Sequence, residues 1–491
     1  MTRENERAPW ALTATGVGER FADGSITSEK LVEALLLRVE NLDVGEGGLH
    51  SLTEWNPDAL AIARALDRER REAGPRGPLH GIPVVLKDNI ATADGMHTTA
   101  GAMVLQDLVS PIEASLVERL RRAGLVILGK ANLTEWANWI SDHMPNGFSY
   151  LGRQTLNPYG PGRFDTGGSS AGSAVSVSAG LTPLSVGTET SGSILSPASQ
   201  NGVVGIKPTV GLISRYGIIP ISPSQDTAGP IARTVEDAAL LLDVLAGPDP
   251  RDPATLAHPT QVSDGTYARA AREGTLKGRS VGIPREPYWE NLRPDRRKAV
   301  ESVLAILQAH GLRVVDPVTV PSAGRPWGLE ILRYEFKAAL GRFLREMGEA
   351  VSVRGLDEII RFNERHPEAI PYGQDIFLKS EDTSGRFMDP LYLKARRQYQ
   401  RWARGEGIDA ALDGTGLDAL VFVNASGAYL GATAGYPSVT LPVATTPEGE
   451  PIGLTLTGRA FDEKRLIEMA GALERILLAD GRGRTEPGLA S

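Results

Sequence analysis

Apolar residues alternate between helical and strand-like spacing along the first third of the chain. Residues 28–42 carry an apolar stripe at helical spacing, which predicts an amphipathic helix. The short apolar run 81–86 (GIPVVL) predicts a buried strand with Lys87 at its end, and 125–128 (LVIL) predicts another. Between them, 110–113 (SPIE) has the serine, proline and glutamate that typically open a helix.

The same alternation continues to the end of the chain. Further helices are predicted over 171–180, 234–246, 294–310 and 461–479, and further strands over 281–284, 312–320, 420–424, 438–442 and 452–458. Strands separated by helices indicate an α/β fold with a largely parallel sheet. No linker divides the chain, so we predict one large domain over residues 1–480. Residues 327–408, helical and rich in charge, are expected to form an insertion or cover, and 481–491 a disordered tail.

Composition narrows the classes of function. The 491 residues include 52 Lys and Arg against 60 Asp and Glu, a net charge of −8. An acidic chain has no general attraction for nucleic acid or anionic membranes, and we predict neither as a partner. The polar start MTRENERAPW lacks a signal peptide's apolar stretch, and no apolar run approaches the roughly 20 residues of a membrane span. We therefore expect a cytoplasmic protein. With no cysteine, disulfides and thiolate nucleophiles are excluded.

The segment 160–230 differs from the rest in being dense in Gly, Ser and Thr while retaining large apolar blocks. Small residues that are nevertheless packed indicate backbones in close approach, or a substrate in close approach to backbone. Two Gly/Ser turns lie within it, 167–170 (GGSS) and 190–193 (TSGS). Taken alone, a turn of this kind is usually only a helix cap.

Several other chemistries fit the sequence less well. GSSAG (168–172) matches a nucleophile elbow centred on Ser170, which needs an acid and then a histidine downstream; His258, His310 and His366 lie in unremarkable polar surroundings. No Lys-Ser/Thr pair follows the glycines, so the P-loop pattern fails. The seven histidines are too far apart for an HExxH-type zinc site, and we predict no metal and no cofactor.

Considered together with Lys87, the two turns resemble the amidase signature family. GIPVVLKDNI (81–90) resembles the family's lysine motif, TGGSSAGSAV (166–175) its first serine motif and GTETSGSILSPASQNGVVGIKPTVG (187–211) its second. Three later segments, 224–239, 435–443 and 451–458, look like family segments as well. The resemblance runs from about residue 20 to 480 and is weakest between about 260 and 420. It implies a single large domain with a twisted, mixed β-sheet core flanked by helices.

The resemblance also assigns roles to residues. Ser193 would be the nucleophile, and Ser169, 24 positions earlier in the sequence, would relay its proton to Lys87. The Gly168–Ser169 peptide bond would be cis. Lys87 must have a pKa well below its ordinary ~10.4 to act as a base, and the apolar residues before it predict the burial that lowers this pKa. Asp88, next on the strand, would point to the opposite face.

The turn before the nucleophile would stabilise the oxyanion of the reaction. The resemblance implies backbone N–H donors from Thr190, Ser191 and Gly192 through Ser193, with glycine permitting the dihedral angles of such a nest. The reaction would be acyl transfer, with an acyl-Ser193 ester that water then hydrolyses.

Two positions bear on the substrate. Relatives that act on carboxylate-bearing substrates, and the A-type component of glutaminyl-tRNA amidotransferase, often carry arginine two residues after the nucleophile, where this chain has Leu195. Ser191 replaces a glycine or acidic residue of many relatives. Both favour a neutral or apolar acyl group. The segment 187–230 looks most like the peptide amidase branch. Four aromatic residues are candidates for the pocket entrance, although core or lid packing fits each of them as well: Trp136, Trp139, Phe148 and Tyr150.

The sequence thus predicts a free-standing amidase, monomeric or homodimeric, that hydrolyses neutral carboxamides, including C-terminal peptide amides, to an acid and ammonia or amine. Its alternatives are the A-type component of a glutaminyl-tRNA amidotransferase, a hydrolase of other linear, aryl or cyclic amides, and an inactive scaffold. Leu195 counts against the amidotransferase component, and the joint presence of Lys87, Ser169 and Ser193 counts against the scaffold.

Overall fold

The apolar runs predicted as strands meet in one sheet. A computed structural model describes residues 8–257 and 265–489, and within these ranges an 11-stranded sheet has the order β1-β3-β2-β6-β8-β7-β12-β13-β11-β9-β10, with β4 and β5 forming a separate pair. The strands are β1 Leu52–Trp55, β2 Pro83–Lys87, β3 Val126–Ala131, β4 Phe148–Ser149, β5 Arg153–Gln154, β6 Leu184–Glu189, β7 Val204–Lys207, β8 Thr227–Ala232, β9 Ser280–Gly282, β10 Arg313–Val315, β11 Ala419–Val423, β12 Ser438–Thr445 and β13 Pro451–Thr457.

Helices cover this sheet. They are α1 Ala14–Ala22, α2 Ser28–Leu42, α3 Ala59–Ala73, α4 Ser115–Arg122, α5 Glu135–Asn138, α6 Ala171–Ser178, α7 Leu195–Gln200, α8 Val235–Leu245, α9 Thr266–Glu273, α10 Pro294–Ala309, α11 Glu330–Glu346, α12 Leu356–Arg365, α13 Asp375–Glu381, α14 Pro390–Ala403, α15 Asp409–Asp413, α16 Ala428–Ala434 and α17 Glu463–Ala479. The predicted α/β class, a single domain with a mixed sheet flanked by helices, is confirmed.

The sheet is mixed rather than largely parallel. Strand β2 runs parallel to β3 and β6, and β9 runs parallel to β10 and β11. The centre is antiparallel, because β8 lies between β6 and β7 in the opposite direction and β12 pairs with β13. Only five residues connect β12 to β13, and such a short connection joins antiparallel neighbours.

Two predicted elements differ from the structure. The helix predicted to open at Ser110 begins at Ser115, because the Ser110 hydroxyl donates to the Ile112 carbonyl (2.7 Å) in a local turn and caps no helix. The strand predicted over 312–320 is only Arg313–Val315. Pro317, two residues later, has no N–H to donate and cannot extend the ladder.

Residues 327–408, the predicted cover, contain α11 to α14, which share one apolar cluster with residues 100–144 and 219–221. Trp136 contacts Phe377 edge-on (ring centroids 5.5 Å apart), and Trp139 contacts Phe336 in the same way (6.3 Å). Both tryptophans are buried, so they join the cover to the main domain and do not line an open entrance. Phe148 likewise packs against Tyr372 of the cover (5.0 Å).

The described end of the chain lies against the domain. Residues 484–489 form no helix or strand, yet the Arg484 guanidinium donates to the Ser178 carbonyl (3.2 Å) and the Tyr159 hydroxyl donates to the Thr485 carbonyl. These contacts hold Arg484 and Thr485 of the predicted tail against the domain. None of the helices in the described ranges has the length and apolarity needed to cross a membrane.

Close packing behind the first Gly/Ser turn gives a stability prediction. A Cβ on Gly172 of α6 would lie 2.2 Å from the Ser51 carbonyl oxygen and 2.5 Å from that of Asn132, both of them backbone atoms. We expect Gly172→Ala to lower the free energy of unfolding by about 1–3 kcal/mol, as overpacking usually does. Denaturant unfolding would measure it. Gly77→Ala is the control, because a Cβ there meets no atom within 4 Å; equal stabilities would contradict the prediction.

Candidate active site

Lys87 ends β2 in the interior of the domain. Strand β2 is buried along its whole length between β3 and β6, so Lys87 has no exposed surface. Its Nζ donates to the Ser169 Oγ (2.8 Å) and to the Thr188 carbonyl (3.2 Å). The run of apolar residues that predicted the strand therefore also places a lysine against the first Gly/Ser turn, residues 167–170.

Burial lowers the pKa of Lys87 to about 7, because the ammonium form loses its hydration; Glu189 and Asp226 act in the opposite direction. Asp88 does not contribute, since it faces away and accepts hydrogen bonds from the Thr99 N–H and hydroxyl. Burial raises the pKa of Asp88 to about 6, and Lys130 opposes this rise. The neutral amine of Lys87 is thus well populated near neutral pH, as a proton acceptor requires.

Ser169 follows a cis peptide bond, Gly168–Ser169, as the resemblance implied. Its carbonyl accepts from the Thr134 N–H (3.0 Å), which fixes the turn to the segment after β3. The next residue, Ser170, donates its N–H to the Ser193 carbonyl (3.1 Å), so the two Gly/Ser turns are joined directly. The structure therefore places Lys87 in direct contact with Ser169 and links Ser193 through its backbone to the next residue, Ser170.

The turn carrying Ser193 is organised by a carboxylate that the sequence analysis missed. Glu189, the last residue of β6, accepts from the N–H groups of Gly192 (2.8 Å), Ile194 (2.7 Å) and Leu195 (3.0 Å). Gly192 has φ +83°, the left-handed region that glycine favours. An acidic residue at the end of an apolar strand, directly before a Gly/Ser turn, was the available signal.

The expected oxyanion donors need one correction. The Gly192 N–H is committed to Glu189, so Gly192 does not offer the free donor expected of it. Among the hydrogen bonds of the described residues, the N–H groups of Thr190, Ser191 and Ser193 have no protein acceptor. These three N–H groups lie on the turn that carries Ser193 and are the unbonded backbone donors of residues 190–193.

The alternative chemistries find no support in the site. The Ser170 hydroxyl is buried, donates to the Thr188 carbonyl (3.0 Å) and accepts from the Thr188 N–H (3.2 Å), with no histidine beside it. His310 and His366 contact the Ile306 carbonyl and the Glu368 carboxylate, while His258 lies outside the described residues. Residues 8–257 and 265–489 hold no cluster of three or more potential metal ligands.

A cavity of about 560 Å³ adjoins the site. Residues 188–190 form one side of it, the apolar loop 218–221 another, and Ala339 and Phe343 of the cover helix α11 a third. Leu195 is fully buried at the start of α7 and presents no cation. Arg215, which also lines this cavity, is paired with Asp252 through two hydrogen bonds of 2.7 Å.

Fold and site together define the class. A family model described as Amidase matches residues 30–422 of the chain. The chain belongs to the amidase family and is an amide-hydrolysing enzyme, as the sequence predicted.

Individual relatives agree with this assignment. The native peptide amidase of Stenotrophomonas maltophilia has a similar structure, with a TM-score of 0.91, 41% identity, and coverage of 98% of this chain and 99% of that one. A probable amidase of Arabidopsis thaliana is 40% identical (93% of this chain, 88% of the relative). A component of the glutamyl-tRNA(Gln) amidotransferase of Chloroflexus aurantiacus is 34% identical (95% and 96%).

Proposed function

We propose that this chain hydrolyses neutral carboxamides, C-terminal peptide amides among them, with Ser193 as nucleophile, Ser169 as proton relay and Lys87 as base. The observation that carries the proposal is the buried Lys87 Nζ, 2.8 Å from the Ser169 Oγ, with Ser193 held beside Ser169 through the Ser170 N–H. Burial disfavours the ammonium form of Lys87, and the Ser169 hydroxyl beside its Nζ has a proton that the lone pair of the neutral amine can accept.

The first half of the reaction forms the ester. Ser193 Oγ attacks the amide carbon while its proton passes through Ser169 to Lys87. Negative charge develops on the carbonyl oxygen, where the N–H groups of Thr190, Ser191 and Ser193 are available to receive it; each such donor is commonly worth about 2.7–4 kcal/mol. Collapse then breaks the C–N bond, the proton returns through Ser169 to the nitrogen, and ammonia leaves. Water, activated by the same lysine, releases the acid.

Substrate preference follows from charge. No cation stands where Leu195 is buried, and Arg215 is already bound to Asp252. Two further arginines line the cavity and are also paired with carboxylates of the chain, Arg251 with Glu118 and Asp249 and Arg342 with Glu346. A free carboxylate would lose its hydration and would have to displace one of these carboxylates to gain a cation, which is costly. The similarity to a peptide amidase supports terminal peptide amides within the neutral class. The cover helix α11 closes one side of the adjoining cavity, which supports sparing of internal peptide bonds.

We expect an amidated dipeptide to be hydrolysed with release of ammonia, whereas a tripeptide whose internal bond occupies the same place, and malonamate-like acids, react far more slowly. Ammonia release measured enzymatically, with product mass by spectrometry, compares the three. Leu195→Arg gives a matched variant in which the preference should move toward the acids. Faster turnover of the acids by the unaltered enzyme, or internal cleavage, would refute the substrate proposal and leave the triad unaffected.

A role within a transamidation assembly is the second candidate, favoured by the 34% identity to a component of a glutamyl-tRNA(Gln) amidotransferase. Leu195 and the 41% identity to a peptide amidase argue for the free-standing enzyme. Hydrolysis of an amide by the purified chain without any partner would decide between them, and its oligomeric state, monomer or homodimer, would be read from the same preparation. The cytoplasmic location stays a prediction.

A further inference from the structure

Asp226 lies outside the proposed triad, yet it is bonded to the turn that carries the oxyanion donors. Its Oδ1 accepts from the Thr190 hydroxyl (2.6 Å), while its Oδ2 accepts from the N–H groups of Ile221 (2.9 Å) and Ser222 (2.7 Å). One carboxylate thus joins two segments that are about 30 residues apart in sequence. Side-chain carboxylates that accept several N–H bonds hold loops in a single arrangement.

Thr190 is held at a second point. The Gln225 side-chain amide donates to the Thr190 carbonyl (3.2 Å). That carbonyl and the Ser191 N–H belong to one planar peptide unit and point in opposite directions. Fixing the carbonyl therefore also fixes the direction of the Ser191 N–H, one of the three free donors beside Ser193. Gln225 and Asp226 together form what we call the Thr190 clamp.

The other end of this loop is tied to the cover. Glu335 of α11 accepts from the Ser222 hydroxyl (2.7 Å) and the Ser224 N–H (2.9 Å), and its second oxygen accepts from the Tyr392 hydroxyl (2.7 Å). Glu335 does not contact Thr190. It thus provides a matched position, a buried carboxylate of α11 that is bonded to the same loop and whose loss leaves the bond to the catalytic turn in place.

We propose that Asp226 is a positioning residue for amide hydrolysis, which aims the oxyanion donors of residues 190–191 by holding Thr190 through its hydroxyl while Gln225 holds its carbonyl. The inference rests on the proposed function, because it assigns those donors to the oxyanion. Asp226 acts through Thr190, although it also lines the cavity that adjoins the site.

The first test removes the hydrogen bond between the Thr190 hydroxyl and Asp226 and keeps the shape of the side chain at position 190. Thr190→Val replaces the hydroxyl by a methyl group, and we expect kcat to fall roughly 10- to 100-fold because small displacements of catalytic groups have effects of this size. KM should change much less, since the donors act on the transition state. Thr190→Ser retains the hydroxyl and should recover most of kcat. Steady-state kinetics on one amidated dipeptide give both constants.

The second test removes the negative charge of Asp226. Asp226→Asn is isosteric, and with its amide rotated it still accepts from Ile221 and Ser222 while donating to Thr190. The charged groups facing Lys87 are Glu189 and Asp226, and Arg215 also faces Asp226. Removing the Asp226 charge destabilises the Lys87 ammonium, so its pKa falls and the acid limb of kcat/KM moves to lower pH. Partial loss of kcat should accompany the shift.

Glu335→Gln is the control and should leave the acid limb in place, because Glu335 is not among the groups that act on Lys87. Melting temperatures of all variants identify those that simply unfold. A folded Thr190→Val enzyme with wild-type kcat, or an acid limb that Asp226→Asn does not move, would overturn the clamp. Turnover surviving in Ser193→Ala would overturn the proposed function instead, so the two failures are distinct.

Discussion

Ser193→Ala is expected to lower kcat roughly 10⁴-fold or more while leaving the fold intact, because it deletes the attacking hydroxyl from a turn that other residues hold. The turn depends on Glu189 and on the Ser170 N–H to Ser193 carbonyl bond, neither of which uses the Ser193 side chain. Ammonia release from an amidated dipeptide measures the loss, and circular dichroism checks the fold.

Ser170→Ala is the matched control, one serine for another in the same site. Its hydroxyl bonds only to the Thr188 backbone, so we expect a stability loss of about 1–3 kcal/mol with most of the activity retained. If Ser170→Ala were inactive and Ser193→Ala active, the nucleophile-elbow interpretation would replace the triad. An acyl intermediate trapped on Ser193, seen as a mass increase, would exclude that outcome independently.

The second large effect concerns Lys87 and pH. With its pKa near 7, Lys87 is half neutral at that pH, and its neutral fraction falls about tenfold for each unit below. We expect kcat/KM to fall with the same slope on the acid side. Lys87→Ala should reduce kcat by about 10²–10⁴-fold, the usual contribution of a general base. Rates measured from pH 5 to 9 test both.

Lys130 supplies the control for Lys87, being an equally buried lysine on the neighbouring strand β3. Its Nζ donates to the Ile90 carbonyl (2.8 Å) and the Thr98 hydroxyl (3.1 Å), and it faces Asp88 rather than the serines. A substitution of Lys130 should change the free energy of unfolding without moving the acid limb of the kcat/KM profile. Near wild-type activity of Lys87→Ala at pH 7–8 would exclude the base role, and inactivation by a chelator would reopen metal chemistry.

The strongest sequence predictions rested on local signals. The apolar run before Lys87 is enough to place a strand, and its burial explains the pKa that the base role demands. The Gly/Ser turns alone indicated only helix caps, and Ser169 and Ser193 were assigned because their motifs, considered together with Lys87, resemble those of the amidase signature family. The direction of the strands was harder to predict. That β8 runs antiparallel to β6 depends on which strands pair, and hydrophobic periodicity does not indicate pairing.

Contacts between distant segments were beyond the sequence. Glu189 and Asp226 appear in it as two acidic residues, and only the fold shows one bonded to three N–H groups and the other to Thr190. The expectation of a free Gly192 N–H also depended on such a contact, because the Glu189 carboxylate accepts a hydrogen bond from this group. Likewise Ser110 looked like a helix cap until its hydroxyl was seen to close a local turn.

The carboxylate of Glu189 has one more consequence. Because it binds three N–H groups of the nucleophile turn from within the chain, the turn reaches its final shape before any substrate arrives. Water around a forming oxyanion would have to reorient, whereas dipoles already fixed in place do not. The free energy of orienting these dipoles is therefore part of the free energy of folding. The binding energy of each substrate then remains available for lowering the activation barrier of amide hydrolysis.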